Sequence, residues 1–503
     1  MVYFRRMDAK QLKDDVRAGR IGLDRLVDLI EMQQRQLDQA RRRIAELEAK
    51  LGPQAATRLD AAFSVRAEEK RQEARGKLKR KRKRPTRRGR LTTAEKVKRA
   101  TRTEQCFPTG VAESACRLSH VRPVWRLEGG RAVLIAYEIY RAPNGKYGRI
   151  GGVLGRSEFG LEIVMAISYQ VHLLGMSFDQ VCLLMGFFLD LNLKKSQLDA
   201  LLTQLARYWE GEFERLCTLL AHSAIVHADE TRWSLNSAWA LLSEQARVIL
   251  FGVHKDAATL HQLLDPATFK GIVISDDAAV YAQFTQTQKC WAHLLRKAIK
   301  LTLLAPDNAE YRRLTDGLLA VYRAACRVQC DGRLSDAGRA KKVAALDDQL
   351  VDLCGGTWAA ELPPLEGPDD DYRLLCNEVM RLMLAQQLFT FVTAPPVTTP
   401  TGQTIPVAGT NNEAERTLRD PATARATGRT NKTAVGARRR TILVSVLESL
   451  RCYLPEFTLT SVIREVQRWL ATGQSCFAKL AQRLGLPPPS RSVLAGLFPA
   501  PSG

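Results

Sequence analysis

Four short, mainly apolar runs in the middle of the chain predict a β-sheet, and two of these runs end in acids. The predicted strands lie at residues 224–228, 239–242, 247–253 and 271–275, with a helix at 257–264 before the last of them. Asp229 and Glu230 follow the first strand, and Asp276 and Asp277 follow the fourth. Unpaired charges are costly to bury, so packing alone is a poor reason for acids at these positions. Taken alone, the first pair also fits an ordinary strand-to-turn boundary.

The order β-β-β-α-β, with acids after the first and fourth strands, is typical of an RNase H-like sheet. In such a sheet those two strands are neighbours, so we expect Asp229 and Asp276 to face each other. Two carboxylates at that range repel each other unless a divalent cation lies between them, and Mg²⁺ prefers oxygen ligands of this kind. The pattern therefore predicts an α/β fold with a magnesium site at the ends of these two strands.

A third acid is expected from a helix near residue 413. Asn411 or Asn412 makes a natural N-cap, and Glu413 near the helix start suits the helix dipole. Glu415 and Arg419 lie four residues apart and share one face of that helix. A surface helix with ordinary ion pairs is the alternative, but no apolar stripe lies close by to support it.

Residues 20–51 repeat their apolar side chains every seven positions. The two seams consist of Leu23, Ile30, Leu37, Ile44 and Leu51, and of Leu26, Gln33, Ala40 and Leu47. This repeat predicts a short coiled coil within residues 1–55, and hence self-association. A single amphipathic helix packed on its own domain is the alternative.

Charge changes the interpretation of the next segment. Residues 77–90 hold ten Lys and Arg in fourteen positions, and residues 1–104 hold 31 Lys and Arg against 15 Asp and Glu, within a net charge of +22. Such a run repels itself and cannot form a core, so residues 56–103 are predicted to be a disordered linker that binds nucleic acid through phosphates. The predicted contacts are Lys79, Arg80, Lys81, Arg82, Lys83, Arg84, Arg87 and Arg88. A basic zipper is excluded because its basic helix precedes the coiled coil, and because Pro85 and Gly89 would interrupt that helix.

Two smaller regions precede the predicted sheet. Residues 104–156 indicate a β-rich module, with strands at 124–127 and 132–137 around a Gly-Gly turn. The nearby metal-binding residue types are Cys106, Cys116 and His120. Structural zinc needs four ligands, usually with a close Cys-x-x-Cys pair, so the module is interpreted as a degenerate zinc finger. Residues 157–222 predict two helices around a turn, the second opening at Lys194, and fit a helix-turn-helix-like DNA-binding unit and a plain helical connector equally well.

Composition indicates a soluble protein of roughly three domains. No run of eighteen residues is uninterruptedly apolar, and the start of the chain leads directly into Arg5 and Arg6, so we expect neither a membrane span nor a secretory signal. The eleven scattered cysteines predict reduced thiols and a cytoplasmic location.

Four short motifs occur in order along the chain. They are His227-Ala228-Asp229-Glu230-Thr231, Asp276 with Tyr281 five residues on, Cys290-Trp291-Ala292-His293, and Asn411-Asn412-x-Ala414-Glu415-Arg416. Together they resemble transposases of the insertion sequence 66 family, a bacterial family whose layout also includes a zipper-like N-terminus, a basic linker and a helical region. The resemblance covers about residues 20–470. Each motif alone is weakly specific, but four in order at compatible spacing form a strong signal.

The resemblance implies a DDE transposase that acts on transposon ends and target DNA. Two Mg²⁺ or Mn²⁺ ions would be held by Asp229, Asp276 and Glu415. Glu230 and Asp277 are rival choices; the spacing to Tyr281 disfavours Asp277, and the Asn-Asn-x-x-Glu spacing disfavours Glu413. DNA phosphates near the site would be contacted by Arg416, Arg419, Arg429 and Lys432.

Two departures from the family pattern affect the expected DNA contacts. The cysteine zinc module is eroded, and the Arg-Lys-Asn-like run after the glutamate helix is matched only by residues 425–432. His293 lies in a Cys-x-x-His element seen in other transposases with insertions, and a structural role is the favoured interpretation.

The predicted architecture is therefore an α/β multidomain protein with an RNase H-like catalytic core. The core comprises residues 223–299 and 406–470, the latter carrying the glutamate helix. A helical insertion at 300–405 is expected because the 276–415 gap is too long for a bare core and has leucine-rich helical periodicity. There Cys326 and Cys330 are predicted core thiols. Residues 471–503 are predicted to be a C-terminal tail.

The predicted partners are DNA, further copies of the chain and accessory proteins of the same element, with no membrane. Two other functions remain open. One is a non-catalytic DNA-binding protein on an RNase H-like scaffold, and the other is a structure-specific nuclease that cuts DNA without joining strands. The zipper and the long insertion favour transposition, because the pairing of two DNA ends needs a dimer or larger assembly.

Overall fold

The computed structural model describes residues 91–234, 236–358, 367–398, 402, 404–489 and 492–498. The predicted coiled coil lies outside these described residues, as does the basic linker up to residue 90. The eight predicted phosphate contacts in that linker lie outside them too. All of these stay predictions.

The end of the predicted linker is folded. Helix α1 (Thr93–Lys98) begins with a capping box, in which the Thr92 hydroxyl accepts from the Glu95 N–H and Glu95 accepts from the Thr92 N–H. This local pairing satisfies two donors that a helix start otherwise leaves open. The expectation of disorder up to residue 103 is therefore wrong for the last part of the linker.

A three-stranded sheet follows α1. Its strands are β1 (Arg102–Cys106), β2 (Arg117–Glu128) and β3 (Arg131–Arg141). β3 lies in the middle, antiparallel to β2 and parallel to β1. Gly129 and Gly130 form the turn between β2 and β3 with positive φ, a conformation that glycine adopts without strain. Both strands expected from the sequence are present as parts of β2 and β3.

Three helices connect this sheet to the central one. They are α2 (Leu161–His172), α3 (Phe178–Leu189) and α4 (Lys195–Ala221). Ser177 and Gln180 form a capping box at the start of α3, and Asp190 ends α3 in the left-handed conformation. α4 buries a stripe that includes Trp209 and Phe213 in the main hydrophobic core. α3 and α4 are the two helices expected around a turn, and their DNA-binding role stays a prediction.

The central sheet has five strands in the order β6-β5-β4-β7-β8. They are β4 (Ile225–Arg232), β5 (Ser237–Ser243), β6 (Arg247–Val253), β7 (Ile272–Ser275) and β8 (Thr287–Lys289), with helix α5 (Ala257–His261) before β7. β4, β5 and β6 form an antiparallel meander, whereas β7 is parallel to β4 and β8 to β7. The two acid-bearing strands are neighbours, as expected. One expectation is wrong: Asp229 and Glu230 lie within β4 rather than after it, because both pair with β5.

The chain between β8 and the glutamate helix is mostly helical. It forms α6 (Trp291–Leu304), α7 (Ala309–Cys330), α8 (Asp336–Trp358), α9 (Pro368–Leu384) and α10 (Thr390–Thr393), then the two-residue strands β9 (Val397–Thr398) and β10 (Thr404–Ile405). Helix formation thus begins before residue 300, and β9 and β10 pair as a small hairpin. The core-thiol expectation is wrong for Cys330, which is exposed at the end of α7, whereas Cys326 is half-buried.

Five helices complete the described chain. They are α11 (Asn412–Ala426), α12 (Ala434–Tyr453), α13 (Leu459–Thr472), α14 (Cys476–Arg483) and α15 (Val493–Leu497). The expected C-terminal tail is wrong for α14 and α15, since Phe477 and Leu494 are buried in the same core as α4. Glu214 of α4 also accepts from the first backbone N–H groups of α15. No helix among the described residues is long and apolar enough to cross a membrane.

Helix α12 covers the outer edge of the central sheet. Hydroxyls four residues apart accept from alternate N–H groups of β6: Thr441 from Phe251, Ser445 from Ile249 and Ser449 from Arg247. The match is physical, because four helical residues rise about 6 Å and two strand residues about 6.8 Å. An unpaired strand edge invites pairing with other chains, and these hydroxyls occupy it.

Candidate active site

Asp229 and Asp276 belong to the same face of the central sheet. The last paired residues of β4 and β7 are His227 and Ile274, and each aspartate comes two residues later. Because side chains alternate between the two faces along a strand, both carboxylates share the face of His227 and Ile274. The parallel register also places them at the same level along the two strands.

Glu230 faces the other side of the sheet and has two partners there. It accepts a hydrogen bond from the Tyr281 hydroxyl at 2.5 Å and pairs with Lys255 at 2.6 Å, and its side chain is 1% exposed. Its cross-strand neighbour on β5 is Trp239, whose ring contacts Tyr281. Glu230 is therefore held as part of the packing, which favours Asp229 among the two acids. Tyr281, whose spacing from Asp276 distinguishes that residue from Asp277, is itself a hydrogen-bond partner of Glu230.

Helix α11 is anchored to β4 by Asn411. The side-chain amide of this fully buried residue donates to the Ala228 carbonyl at 2.8 Å, and its backbone N–H donates to Cys290 Sγ at 3.1 Å. Asn411 is the N-cap residue of α11, one of the two expected positions, but its side chain makes no capping hydrogen bond because it bonds to the strand instead. Ala414 and Leu418 then pack on Ala240, the cross-strand partner of Asp229. The helix consequently lies on the face of the sheet that carries Asp229.

Glu415 lies among three side chains from the start of α6. Arg296 donates to its carboxylate, His293 Nδ1 lies 3.3 Å from its Oε1 without hydrogen-bond geometry, and Cys290 Sγ lies 4.0 Å away. The ligand atoms of Cys290, His293 and Glu415 are all within 4.8 Å of one another, so these three residues could hold a metal ion. Burial raises the pKa of the Cys290 thiol and lowers that of His293.

Clustered negative charge changes the protonation of Asp229. Burial first, and then the charge of Glu230, raise its pKa to about 7, despite a hydrogen bond from the Glu230 N–H. The charges of Asp276 and Glu415 add to the rise, so all three predicted acids interact electrostatically. A carboxyl with a pKa this high marks a place where a cation would be stabilised.

The rival acids pair with arginines away from this cluster. Asp277 accepts from Arg381 of α9, and Glu413 accepts from Arg247 of β6. Glu413 and Glu415 thus project from different sides of α11, one toward the β6 edge and the other toward α6.

Sequence reasoning missed Lys289 and Arg296. The Lys289 ammonium is buried and donates to the Asp276 carbonyl at 2.8 Å and to Ser275 Oγ at 3.2 Å. Burial lowers its pKa, while the charges of Asp277 and Asp276 oppose that effect. A lysine in a fully buried strand was a usable signal for Lys289. Arg296 has no such local signal, because its contact with Glu415 joins residues 119 positions apart.

The predicted DNA contacts of the second half lie on the surface. Arg416, Arg419, Arg429 and Lys432 are all exposed. Arg429 also donates to the Gly175 carbonyl at 3.0 Å, so part of its hydrogen-bonding capacity is used. Within the described ranges, Cys106, Cys116 and His120 belong to no group of side chains that could hold a metal.

A cavity of about 1230 Å³ lies at the opposite end of the central strands. It is lined by Ser223, Ala224, Gly271 and Ile272, where β4 and β7 begin. The acids lie beyond the other end of the β4–β7 pairing, so this cavity is separate from the candidate active site.

Comparison with known families places the chain in the class of transposases. A family described as Transposase IS66 family matches residues 156–439, a span that contains all three predicted acids. The chain therefore belongs to the IS66 transposase family, as the four motifs indicated. Members of DDE families generally use divalent metal ions, and transposases bind DNA. No curated protein matches the chain.

Proposed function

We propose that this protein is a DDE transposase that cleaves the ends of an insertion sequence and transfers the cut strands to target DNA. The observation that supports the proposal is that Asp229 of β4, Asp276 just after the neighbouring β7 and Glu415 of α11 lie close enough for their charges to interact. The central sheet has the strand order β6-β5-β4-β7-β8, in which β4, β5 and β6 are antiparallel and β7 and β8 are parallel to β4. This topology supports an RNase H-like core. The helices between β8 and α11 would be its insertion.

The donor set fits divalent cations. Carboxylate oxygens are hard ligands that suit Mg²⁺ or Mn²⁺, and the raised pKa of Asp229 reflects negative charge that a bound cation would offset. Asp229, Asp276 and Glu415 would hold two such ions, which lower the pKa of attacking water and stabilise the leaving oxygen in phosphoryl transfer. The thiol and imidazole of Cys290 and His293 are softer ligands beside Glu415, so a transition metal would also fit there.

Other residues position these acids. Asn411 fixes the start of α11 on β4, and Arg296 orients Glu415 from α6. Lys289 stabilises the backbone of Asp276 by donating to its carbonyl. Arg416, Arg419, Arg429 and Lys432, with the N-terminal basic segment, would neutralise DNA phosphates. The zipper-like segment would pair two copies so that two DNA ends meet, with accessory proteins of the element where needed, in the cytoplasm beside the nucleoid.

The proposal is tested by cleavage and joining of oligonucleotides from the element's ends, with Mg²⁺ or Mn²⁺. Wild type is compared with Asp276→Asn and with Asp277→Asn, a matched change at the next residue, whose side chain pairs with Arg381 instead. We expect metal-dependent nicking and strand joining in wild type and in Asp277→Asn, and neither in Asp276→Asn.

The other outcomes separate the alternatives. Nicking without joining would favour the structure-specific nuclease. DNA binding with no chemistry in any variant, across several end sequences, would favour the non-catalytic scaffold. Equal losses in the two aspartate variants would remove Asp276 from the proposed site.

A further inference from the structure

A second polar cavity lies on the opposite side of α11 from Glu415. It measures about 460 Å³ and is enclosed by the end of α2, strand β6, and helices α11 and α12. Its polar lining consists of His172, Arg247, Glu413, Arg416, Thr417, Asp420, Arg440, Glu448, Arg451 and Cys452. Neither the acid cluster nor the proposed chemistry uses this cavity.

Arg440 is buried in this cavity and is incompletely paired. Its side chain is 8% exposed, and its guanidinium lies over the rings of Trp233 and Phe251, 5.2 and 4.8 Å from their centroids. One terminal nitrogen donates to the Arg429 carbonyl at 3.4 Å, but Nε has no hydrogen-bond partner among the described residues. Burial lowers the pKa of Arg440 to about 10, so it still carries its charge at neutral pH.

His172 lines the same cavity and has no hydrogen-bond partner in the described part of the chain. It is 8% exposed, and both ring nitrogens are buried and unpaired. Burial, reinforced by the charges of Arg440 and Arg439, holds its pKa well below the usual value, so one of the two nitrogens carries a proton. Buried donors almost always have an acceptor, so Arg440 and His172 together indicate an acceptor that occupies the cavity.

The charge around the mouth favours an anion. Four arginines line the cavity against three acids. Arg247 is paired with Glu413, whereas Arg416 is exposed and has no ion-pair partner among the described residues. An exposed arginine beside a buried one is suited to guide and then hold a phosphate group.

The position relative to Glu415 suggests which phosphate. Glu415 and Arg416 are consecutive on α11, and a helix with its side chains is about 10–12 Å across. Along the axis of a duplex each strand advances about 3.4 Å per phosphate, so a duplex whose axis crosses α11 would place roughly three nucleotides between the two sides of the helix. We propose that the cavity of Arg440 and His172 binds one backbone phosphate of the DNA, about three nucleotides from the phosphodiester that is cut. This inference rests on the proposed function, because it places DNA across α11.

The test is a binding experiment without divalent cations, so that no cleavage is needed. The full-length protein is titrated against end duplexes that each carry one neutral methylphosphonate, moved stepwise across five nucleotides on either side of the cut. We expect wild type to lose about tenfold in affinity at one or two positions near the third nucleotide, the size of one charge-assisted contact. Arg440→Gln should bind the unmodified duplex about tenfold more weakly and show no further loss at those positions. Arg323→Gln, which removes an exposed arginine of α7, should keep the full positional effect.

Several results would overturn the inference. One is a wild-type profile without a sensitive position; another is an Arg440→Gln profile as steep as that of wild type. His172→Leu and Arg416→Gln, read in the same scan, repeat the test if Arg440→Gln does not fold. If inorganic phosphate raises the melting temperature of wild type but not of His172→Leu, while the scan is flat, the cavity takes free phosphate rather than DNA. If wild type shows the position-dependent loss of affinity but does not cleave DNA when metal is added, the proposed function is contradicted and the phosphate site is retained.

Discussion

The two sides of α11 differ in charge: acids cluster on one side, and buried hydrogen-bond donors, including an arginine, lie on the other. On the side toward α6, burial and then the charges of Glu230, Asp276 and Glu415 raise the pKa of Asp229 to about 7. On the side toward β6 and α12, Arg440 and His172 are buried with donors that lack acceptors in the described residues. A bound cation would stabilise the first side, and a bound anion would stabilise the second.

This difference fits the proposed function, in which α11 would lie between bound metal ions and DNA. A carboxylate cluster is unfavourable alone and is relieved by cations, whereas a buried arginine is relieved by a phosphate. Both sides therefore carry strain in the free protein that a complex with DNA and metal would remove. A substitution on one side of α11 should therefore have its main effect on that side.

The largest effect is expected from the two glutamates of α11. Glu415→Gln should lower the single-turnover rate of metal-dependent cleavage by about 10²–10³-fold or more, because it removes a charge at the proposed site. Glu413→Gln breaks only a partly exposed pair with Arg247, and such pairs contribute about 0–1 kcal/mol, so its rate should change by a few-fold at most. Comparable losses in the two variants would mean that the two sides of α11 are not functionally distinct.

The next effect concerns the stability of the metal-free protein against pH. The pKa of Asp229 is about 7 in the fold and about 3.9 in an unfolded chain, so the native state binds the extra proton between these values. Stability should therefore fall as pH rises from about 4 to 7, by at most about 4 kcal/mol. Asp229→Asn cannot ionise and should remove this part of the pH dependence while increasing stability at pH 8.

Urea unfolding at pH 5 and pH 8, with and without Mg²⁺, measures the effect. Added Mg²⁺ should recover stability at pH 8 in wild type and much less in Asp229→Asn. A wild-type stability that does not differ between the two pH values would show that the acid cluster is already neutralised within the protein.

A smaller loss of stability is expected when Asn411, which anchors α11 to β4, is replaced. Asn411→Ala leaves the Ala228 carbonyl without its buried donor and should cost about 1–3 kcal/mol in the free energy of unfolding. Cleavage should fall as well, because Glu415 depends on the placement of α11. Asn412→Ala, at the exposed neighbour, should change stability by less than about 0.5 kcal/mol. If Asn411→Ala keeps both wild-type stability and cleavage, packing of Ala414 and Leu418 is sufficient to place the helix.

The smallest effect is expected at the β6 edge, which supports the basic side. Ser445→Ala removes the acceptor of the buried Ile249 N–H and should cost about 1 kcal/mol. Ser449→Ala acts at the partly buried end of the strand, where water can replace the hydroxyl, and should cost less. Chemical denaturation measures the free energy of unfolding of both variants. A larger loss of stability in Ser449→Ala than in Ser445→Ala would contradict the proposed covering of the β6 edge.

The acidic side could be largely predicted from the sequence. Short apolar runs that end in acids, and an Asn-Asn-led helix later in the chain, are local patterns that identify Asp229, Asp276 and the region of Glu415. The pattern could not choose between Asp229 and Glu230 by itself, because adjacent residues differ only in the face they occupy. On the basic side, Arg416 was among the predicted phosphate contacts, but His172 and Arg440 could not be predicted, since nothing near them in the sequence indicates that α2 and α12 meet.

The amino-acid sequence by itself determined the order of elements, the positions of the acids and the family. Each of these depends on residues close together in the chain, through hydrophobic periodicity and motif spacing. Only the tertiary structure decided which acids share a face, that residues expected as a tail complete the core around α4, and that an arginine and a histidine are buried without acceptors. These depend on strand register and helix packing, in which side chains far apart in sequence exclude water together and so set each other's charge and hydrogen bonds.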